Sequence, residues 1–282
     1  MYELKVKNGR GEVLNLSSHP NYTVYKVTGL QPVAANISSS ANATSDGITV
    51  NSVRAGERNI VIYLALNGDI EQSRVNLYRY FPLKQTVTVY FKTASRDVFT
   101  EGYVQTIECD LFTSKQVVQI SLICPQSYFM AVDEIVSYFS EISNSFEFPF
   151  SIEESGVVVS EITSNVRKSI INTGDIESGL LISMYAAGTV VNPVIYDAFK
   201  RTQIKLNYTM QPEDQILINT NMGKKSITLI RGGFNYNILG YLAAGSSWLT
   251  LSSGDNVFTY SADEGVTNLR ITFTSNVLYG GV

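Results

Sequence analysis

The sequence predicts a mainly β protein in two domains: an N-terminal β-sandwich-like domain with one short helix, and a C-terminal β-sandwich of jelly-roll type. Three observations predict it. Apolar and polar residues alternate with period two along most of the chain, which sends successive side chains to opposite faces of half-buried strands. Clusters of Asn, Gly, Asp and Ser punctuate the second half at short intervals, as they do in sandwiches. The 282 residues amount to about two domains of typical size.

The elements follow in chain order. Residues 59–66 place Ile60, Ile62, Leu64 and Leu66 on one face. Residues 86–92 do the same with Val87, Val89 and Phe91 and end at the turn-like Ala94-Ser95-Arg96-Asp97. Residues 102–109 and 116–124 flank a polar turn and predict a hairpin. With the turn near Phe112 and Thr113, Cys109 faces Gln116 and Cys124 lies near Glu101. The two cysteines are then far apart along their strands and are expected as free thiols. One segment leaves the period of two: Ile70, Arg74, Leu77, Tyr78 and Phe81 recur at three and four, with Asp69 as N-cap, Gln72 as its capping-box partner and Pro82 as a stop. It predicts a short amphipathic helix lying on the first sheet. Residues 128–149 change composition and read as an aromatic-packed linker with a turn of helix. Strands are expected again at 156–159, 169–172, 179–185, 202–208, 215–219, 226–230, 247–251, 256–261 and 269–273. The domain boundaries are therefore set at 1–130, a linker at 131–150, and 151–282.

Composition narrows the function. Charged residues are 16 % of the chain, against about 25 % in ordinary domains, and the hydrophobic content of 44 % excludes a disordered chain. A net charge of -4 offers no basic excess for nucleic acid or an anionic membrane. No apolar run has signal-peptide or membrane-spanning length, so a soluble protein made in a reducing cytoplasm is expected. His19, the single histidine, excludes a metal site built on two imidazoles, and its Ser-Ser-His-Pro-Asn context reads as a polar turn. The carboxylate pairs Asp133-Glu134, Glu153-Glu154 and Asp263-Glu264 are sequence neighbours that diverge in strands and turns, which leaves no flanking acid and base. Asp255-Asn256 and Asp263-Glu264-Gly265 lack the alternating ligands of a calcium loop. Gly232-Gly233 and Gly280-Gly281 lack the strand and helix of a phosphate-binding loop and read as turns. No catalytic, cofactor or metal residue is expected. Trp248, the single tryptophan, is a candidate weak sugar contact, although a lone ring more often serves packing.

The order of elements resembles a known family. Arg58 to Ile62 leading into the helix with Arg74, Leu77, Tyr78, Arg79 and Phe81, then 87–91, 101–108 and 119–125, is similar to the N-terminal domain of siphophage distal tail proteins. Asn172-Thr173-Gly174-Asp175 with 179–184, then 219–227 and 247–258, is similar to that family's galectin-like second domain. The resemblance implies a structural virion protein without enzymatic activity: a hexameric ring at the tail tip of a long non-contractile-tailed phage. The ring would join the tail tube protein to the tail-associated tip or baseplate protein, with a receptor-binding protein as a further partner. It carries over no sugar site, since no residue set here matches one.

A ring needs intersubunit surface. The small, polar stretch 35–47, with residues 48–58, is expected as an extended arm that orders against the next subunit; a surface loop is the alternative. Ile48, Val50, Arg54, Arg58, Arg74 and Arg79 are the candidate interface residues. The competing function is an adhesion module whose C-terminal sandwich contacts host cell-wall polysaccharide. A polysaccharide hydrolase is disfavoured by the missing acid and base.

Overall fold

Leu4 and Val6 are buried between Glu3, Lys5 and Lys7, and this alternation makes β1 (Glu3–Asn8) the first strand of the computed structural model. The structure describes residues 2–43, 46–113, 115–143, 161–164 and 167–282, with 140–143 and 161–164 as backbone alone. The chain forms two units, Met1–Asp133 with Leu278–Val282, and Glu134–Val277.

The first unit continues with β2 (Val13–Asn15), β3 (Tyr22–Thr28), β4 (Ala35–Ala41), β5 (Ile48–Ala55), β6 (Arg58–Leu66), α1 (Ile70–Tyr80), β7 (Thr86–Lys92), β8 (Asp97–Cys109), β9 (Val117–Cys124) and the start of β10 (Phe129–Tyr138). An antiparallel path runs β2, β1, β7, β8, β9, β6, β3. β8 serves both halves of this path, pairing β7 over residues 97–103 and β9 over residues 103–109. The inward positions fill one core in which Val6, Ile62, Val89, Val98, Ile120 and Leu122 are fully buried.

The helix begins at Asp69, whose carboxylate accepts the Gln72 N–H at 3.1 Å. The reciprocal half of the capping box is not made, because the Gln72 amide donates to Asn76 at 3.2 Å instead. Leu77 and Phe81 are buried as their spacing predicts. Ser73 is buried with them and its carbonyl accepts the Tyr22 hydroxyl at 3.0 Å, a role that a small polar residue does not announce in sequence.

Four local expectations change. The β8–β9 register pairs Cys109 with Val118, and a bulge at Gln105 shifts the rest, so that Tyr103 faces Ile123. The turn therefore sits slightly later than its polar centre implies, while both cysteines are free. Residues 129–138 are a strand, not a turn of helix, since Phe129 and Ser137 are buried from an extended backbone. β1 and β3 are strands as well, with Lys5 and Lys7 of β1 and Thr23, Tyr25 and Lys26 of β3 at less buried positions. Residues 35–41 pair with 48–55 as a hairpin. The strand expected at 156–159 and residues 144–150 of the linker lie outside the described residues.

In the second unit two antiparallel sheets share a core. One pairs Leu269–Tyr279, Leu181–Ala186, Gln215–Asn219, Ser226–Arg231 and Phe234–Asn237 in that order. The other pairs Arg167–Asn172, Gly254–Ser261, Val194–Asp197 and Thr202–Lys205. Phe258 and Tyr260 from one sheet and Ile182, Ile218 and Phe273 from the other are buried in a single cluster, which defines a sandwich. Gly232 and Gly233 hold φ of 55° and 81°, the two positive values that a two-residue hairpin turn demands. The strand expected at 247–251 shrinks to Thr250–Leu251.

Candidate functional site

The β4–β5 hairpin is amphipathic. Paired residues share a face, and the register Ile37↔Val53, Ser39↔Val50 and Ala41↔Ile48 places the aliphatic side chains together. Asn36, Ser38, Thr49, Ser52 and Arg54 take the opposite face. Asn51 is the extra residue of a bulge between these pairs, and it restores the phase that would otherwise send Ile48 and Val50 to the polar side. That apolar face is uncovered: Ile37, Ile48, Val50 and Val53 are 60 %, 62 %, 51 % and 62 % exposed. Covering such side chains is worth on the order of 1–2 kcal/mol each. A contiguous uncovered apolar face on a two-stranded ribbon marks an interaction surface. The bulge hid it in the sequence, because strict alternation fails between Val50 and Val53.

The structure separates the six candidate interface residues. Ile48 and Val50 lie on the hairpin's apolar face and Arg54 on its polar face. Arg74 pairs with Glu71 at 2.5 Å and reaches the Tyr78 hydroxyl at 3.2 Å, along the helix. Arg79, well exposed, pairs with Glu12 at 2.5 Å. Arg58 drops out of the proposed interface, because it is fully buried inside the first unit.

The Arg58 guanidinium spends its donors on backbone carbonyls: Nε and Nη2 on Ser127 at 3.2 and 2.8 Å, Nη1 on Gly29 and Gln31, and Nη2 on Gly280 at 2.7 Å. Its plane lies 4.0 Å from the centre of the Phe129 ring. Burial pulls its pKa down from the ordinary arginine value. Gly29 supplies its carbonyl from a φ of 83°, and a Cβ there would sit 1.9 Å from the Asn59 carbonyl oxygen, so only glycine brings the chain this close. The segment 278–282 joins the same cluster. Arg96 donates to the Gly281 carbonyl and stacks 4.3 Å from the Tyr279 ring, and the Val282 N–H donates to Leu30 at 3.0 Å.

Trp248 is half-buried against the core of the second unit, with the Lys225 ammonium 5.5 Å from its ring centre. A ring held on the core and flanked by a lysine is a poor stacking platform for a sugar. His19 accepts the Asn21 N–H at 3.2 Å through Nδ1, within a turn. Burial pushes the thiols of Cys109 and Cys124 up, which disfavours the thiolate form. Among the described residues no group of three or more His, Cys, Asp or Glu side chains is placed to hold a metal ion, and no helix is long and apolar enough to cross a membrane.

Residues 173–276 match the family described as siphovirus-type tail component, C-terminal domain. The matched segment lies within the second unit. The fold has solved counterparts. SPP1 Dit, described as a paradigm of hub adsorption apparatus in Gram-positive infecting phages, is 13 % identical with a TM-score of 0.67, over 98 % of each chain. A chain of the phage P2 baseplate in its activated conformation is 12 % identical with a TM-score of 0.51, over 100 % of each. No curated protein matches by sequence. At these identities the structures show a shared fold. The family match over residues 173–276 and the shared fold both agree with the resemblance to siphophage distal tail proteins.

Proposed function

We propose that this chain is a distal tail protein that forms a hexameric ring at the tail tip of a long non-contractile-tailed phage. The ring joins the end of the tail tube to the tip or baseplate protein, with a receptor-binding protein as a further neighbour. The chain acts through its surfaces and carries no catalytic role, cofactor, nucleic acid or membrane contact. The hairpin is the observation that carries this reading: a β-ribbon whose aliphatic face is uncovered among the described residues is marginal on its own and gains stability when another chain covers it. Identical subunits in a ring meet through two different patches, and a protruding ribbon supplies one of them. The family match and the shared fold agree with it. Arg54 and Arg79 are proposed at the edges of the contact, where exposed charges set orientation more than strength, with the largely covered Arg74 beside them on the helix.

Native mass spectrometry of the purified chain, alone and mixed with the tube protein of the same phage, tests the proposal. A species of six chain masses is expected. A chain that remains monomeric in both mixtures contradicts it.

A further inference from the structure

One edge of the second unit carries aromatic rings that its core does not use. The strand Phe234–Asn237 closes its five-stranded sheet, and among the described residues no strand takes the other side of it. Its register pairs Phe234 with Arg231 and Tyr236 with Leu229, and paired residues share a face. Leu229 is buried in the core, and so is Ile238, two residues past Tyr236. Phe234 and Tyr236 therefore take the inward face of the sheet, yet they stay 68 % and 49 % exposed, because the core ends short of them. The chain then passes through the turn Leu239–Tyr241 and sets the exposed Tyr241 edge-on to Tyr208, with ring centres 5.0 Å apart. The Tyr208 hydroxyl accepts a hydrogen bond from Arg231. Phe234 by register and Tyr208 by hydrogen bond thus neighbour one guanidinium, which the buried Asp214 carboxylate holds while part of it stays exposed.

We propose that this rim binds a neutral carbohydrate chain, whose sugar rings lie on Phe234 and Tyr236 while Arg231 donates to their hydroxyls. The inference adds a ligand to the ring protein proposed above and does not depend on the ring. A sugar ring presents apolar C–H faces bordered by hydroxyls, and aromatic faces with a fixed donor beside them match both parts. Phe234 and Tyr236 are roughly 7 Å apart along their strand, so linked sugars can rest on both. Asp214 fixes the Arg231 fork in advance, so little ordering is left to binding. Charge selects a neutral ligand: Asp214 balances Arg231, and the sequence from Phe234 to Trp248 has no charged residue. Asn235 and Asn237 take the outer side of the same edge, so the rings form a narrow strip bordered by amides rather than the broad apolar centre of a protein interface. Trp248 lies apart, with Lys225 at the opposite end of the strand Ser226–Arg231 from Arg231.

Saturation-transfer NMR and calorimetry on the full-length chain test this, with neutral tetrasaccharides of glucose, galactose, mannose and N-acetylglucosamine as the probes. Binding of at least one is expected, with saturation strongest on the sugar C–H protons. Tyr236→Ala is expected to weaken that binding at least tenfold and Tyr236→Trp to restore it, with the unfolding midpoint of both variants unchanged. Trp248→Ala, away from the rim, is expected to leave the affinity within twofold. Absence of binding across the four probes, or binding that survives Tyr236→Ala, overturns the proposal. A Tyr236→Ala chain that loses its ring mass in native mass spectrometry also overturns it, by assigning the rim to a contact between copies. A ring of full mass that takes no sugar overturns the sugar site alone and leaves the ring standing.

Discussion

Arg58 is the residue on which the first unit closes. Its carbonyl partners come from three stretches far apart in sequence, 29–31, Ser127 and Gly280, so one planar fork ties three loops together. Lysine has no such fork and leaves several of those buried carbonyls unpaired. Arg58→Lys is expected to cost about 3 kcal/mol, read as a lower denaturant midpoint for the first unit. The second unit has its own ionic anchor. Arg231 donates to the buried Asp214 carboxylate at 2.7 and 2.5 Å, and the Gln211 N–H adds a third bond at 2.7 Å. Burial pushes the Asp214 pKa up, but these bonds outweigh it and hold the carboxyl below its ordinary value. A depressed folded pKa gives stability that is present above the unfolded value and lost as the carboxylate protonates. The second unit should therefore weaken as pH falls below about 4, and Asp214→Asn should flatten that dependence in a thermal melt. The Arg58 anchor was not legible in the sequence. A charged residue opening a strand reads as surface, and only Gly29, whose missing Cβ lets its carbonyl approach, hints at burial.

At the level of elements, the hairpin β4–β5 is where sequence and fold diverge most instructively. Its serines and asparagines predict a loop or an arm, because they carry no local apolar signal, and the bulge at Asn51 breaks the alternation that would have revealed the face. The arm itself was legible, while its amphipathic character was not. By contrast β6, β7 and the helix were readable nearly to the residue, since Ile60, Ile62, Leu64, Val87, Val89 and Leu77 are all fully buried and core-facing periodicity is the strongest signal a sequence carries. The face of the hairpin separates assembly from folding. Ile48→Asp combined with Val50→Asp should leave the monomer's stability within about 0.5 kcal/mol, as exposed substitutions do, yet abolish the ring in sedimentation velocity. Loss of the folded monomer instead would assign these residues to an internal core.

On the scale of the whole molecule, the chain returns to its first unit at the end: Leu278–Val282 belong with Met1–Asp133. Tyr279 and Val282 pack against the core there, and Arg58, Arg96 and Leu30 hold the backbone between them. Deleting residues 278–282 should destabilise the first unit by on the order of 3 kcal/mol, the sum of a few buried hydrogen bonds and two side chains. A fragment of residues 1–133 should share that defect, and both effects are visible in chemical denaturation. Turn chemistry and alternation announce two β-rich halves, but no local pattern announces that five distant residues complete the first of them. In the proposed role both units serve a ring at the far end of a phage tail. Immunogold electron microscopy of intact virions, with antibody against this chain, addresses that most directly. Label confined to the distal tip is the predicted result, and label along the tube, on the capsid or absent from the particle would contradict it.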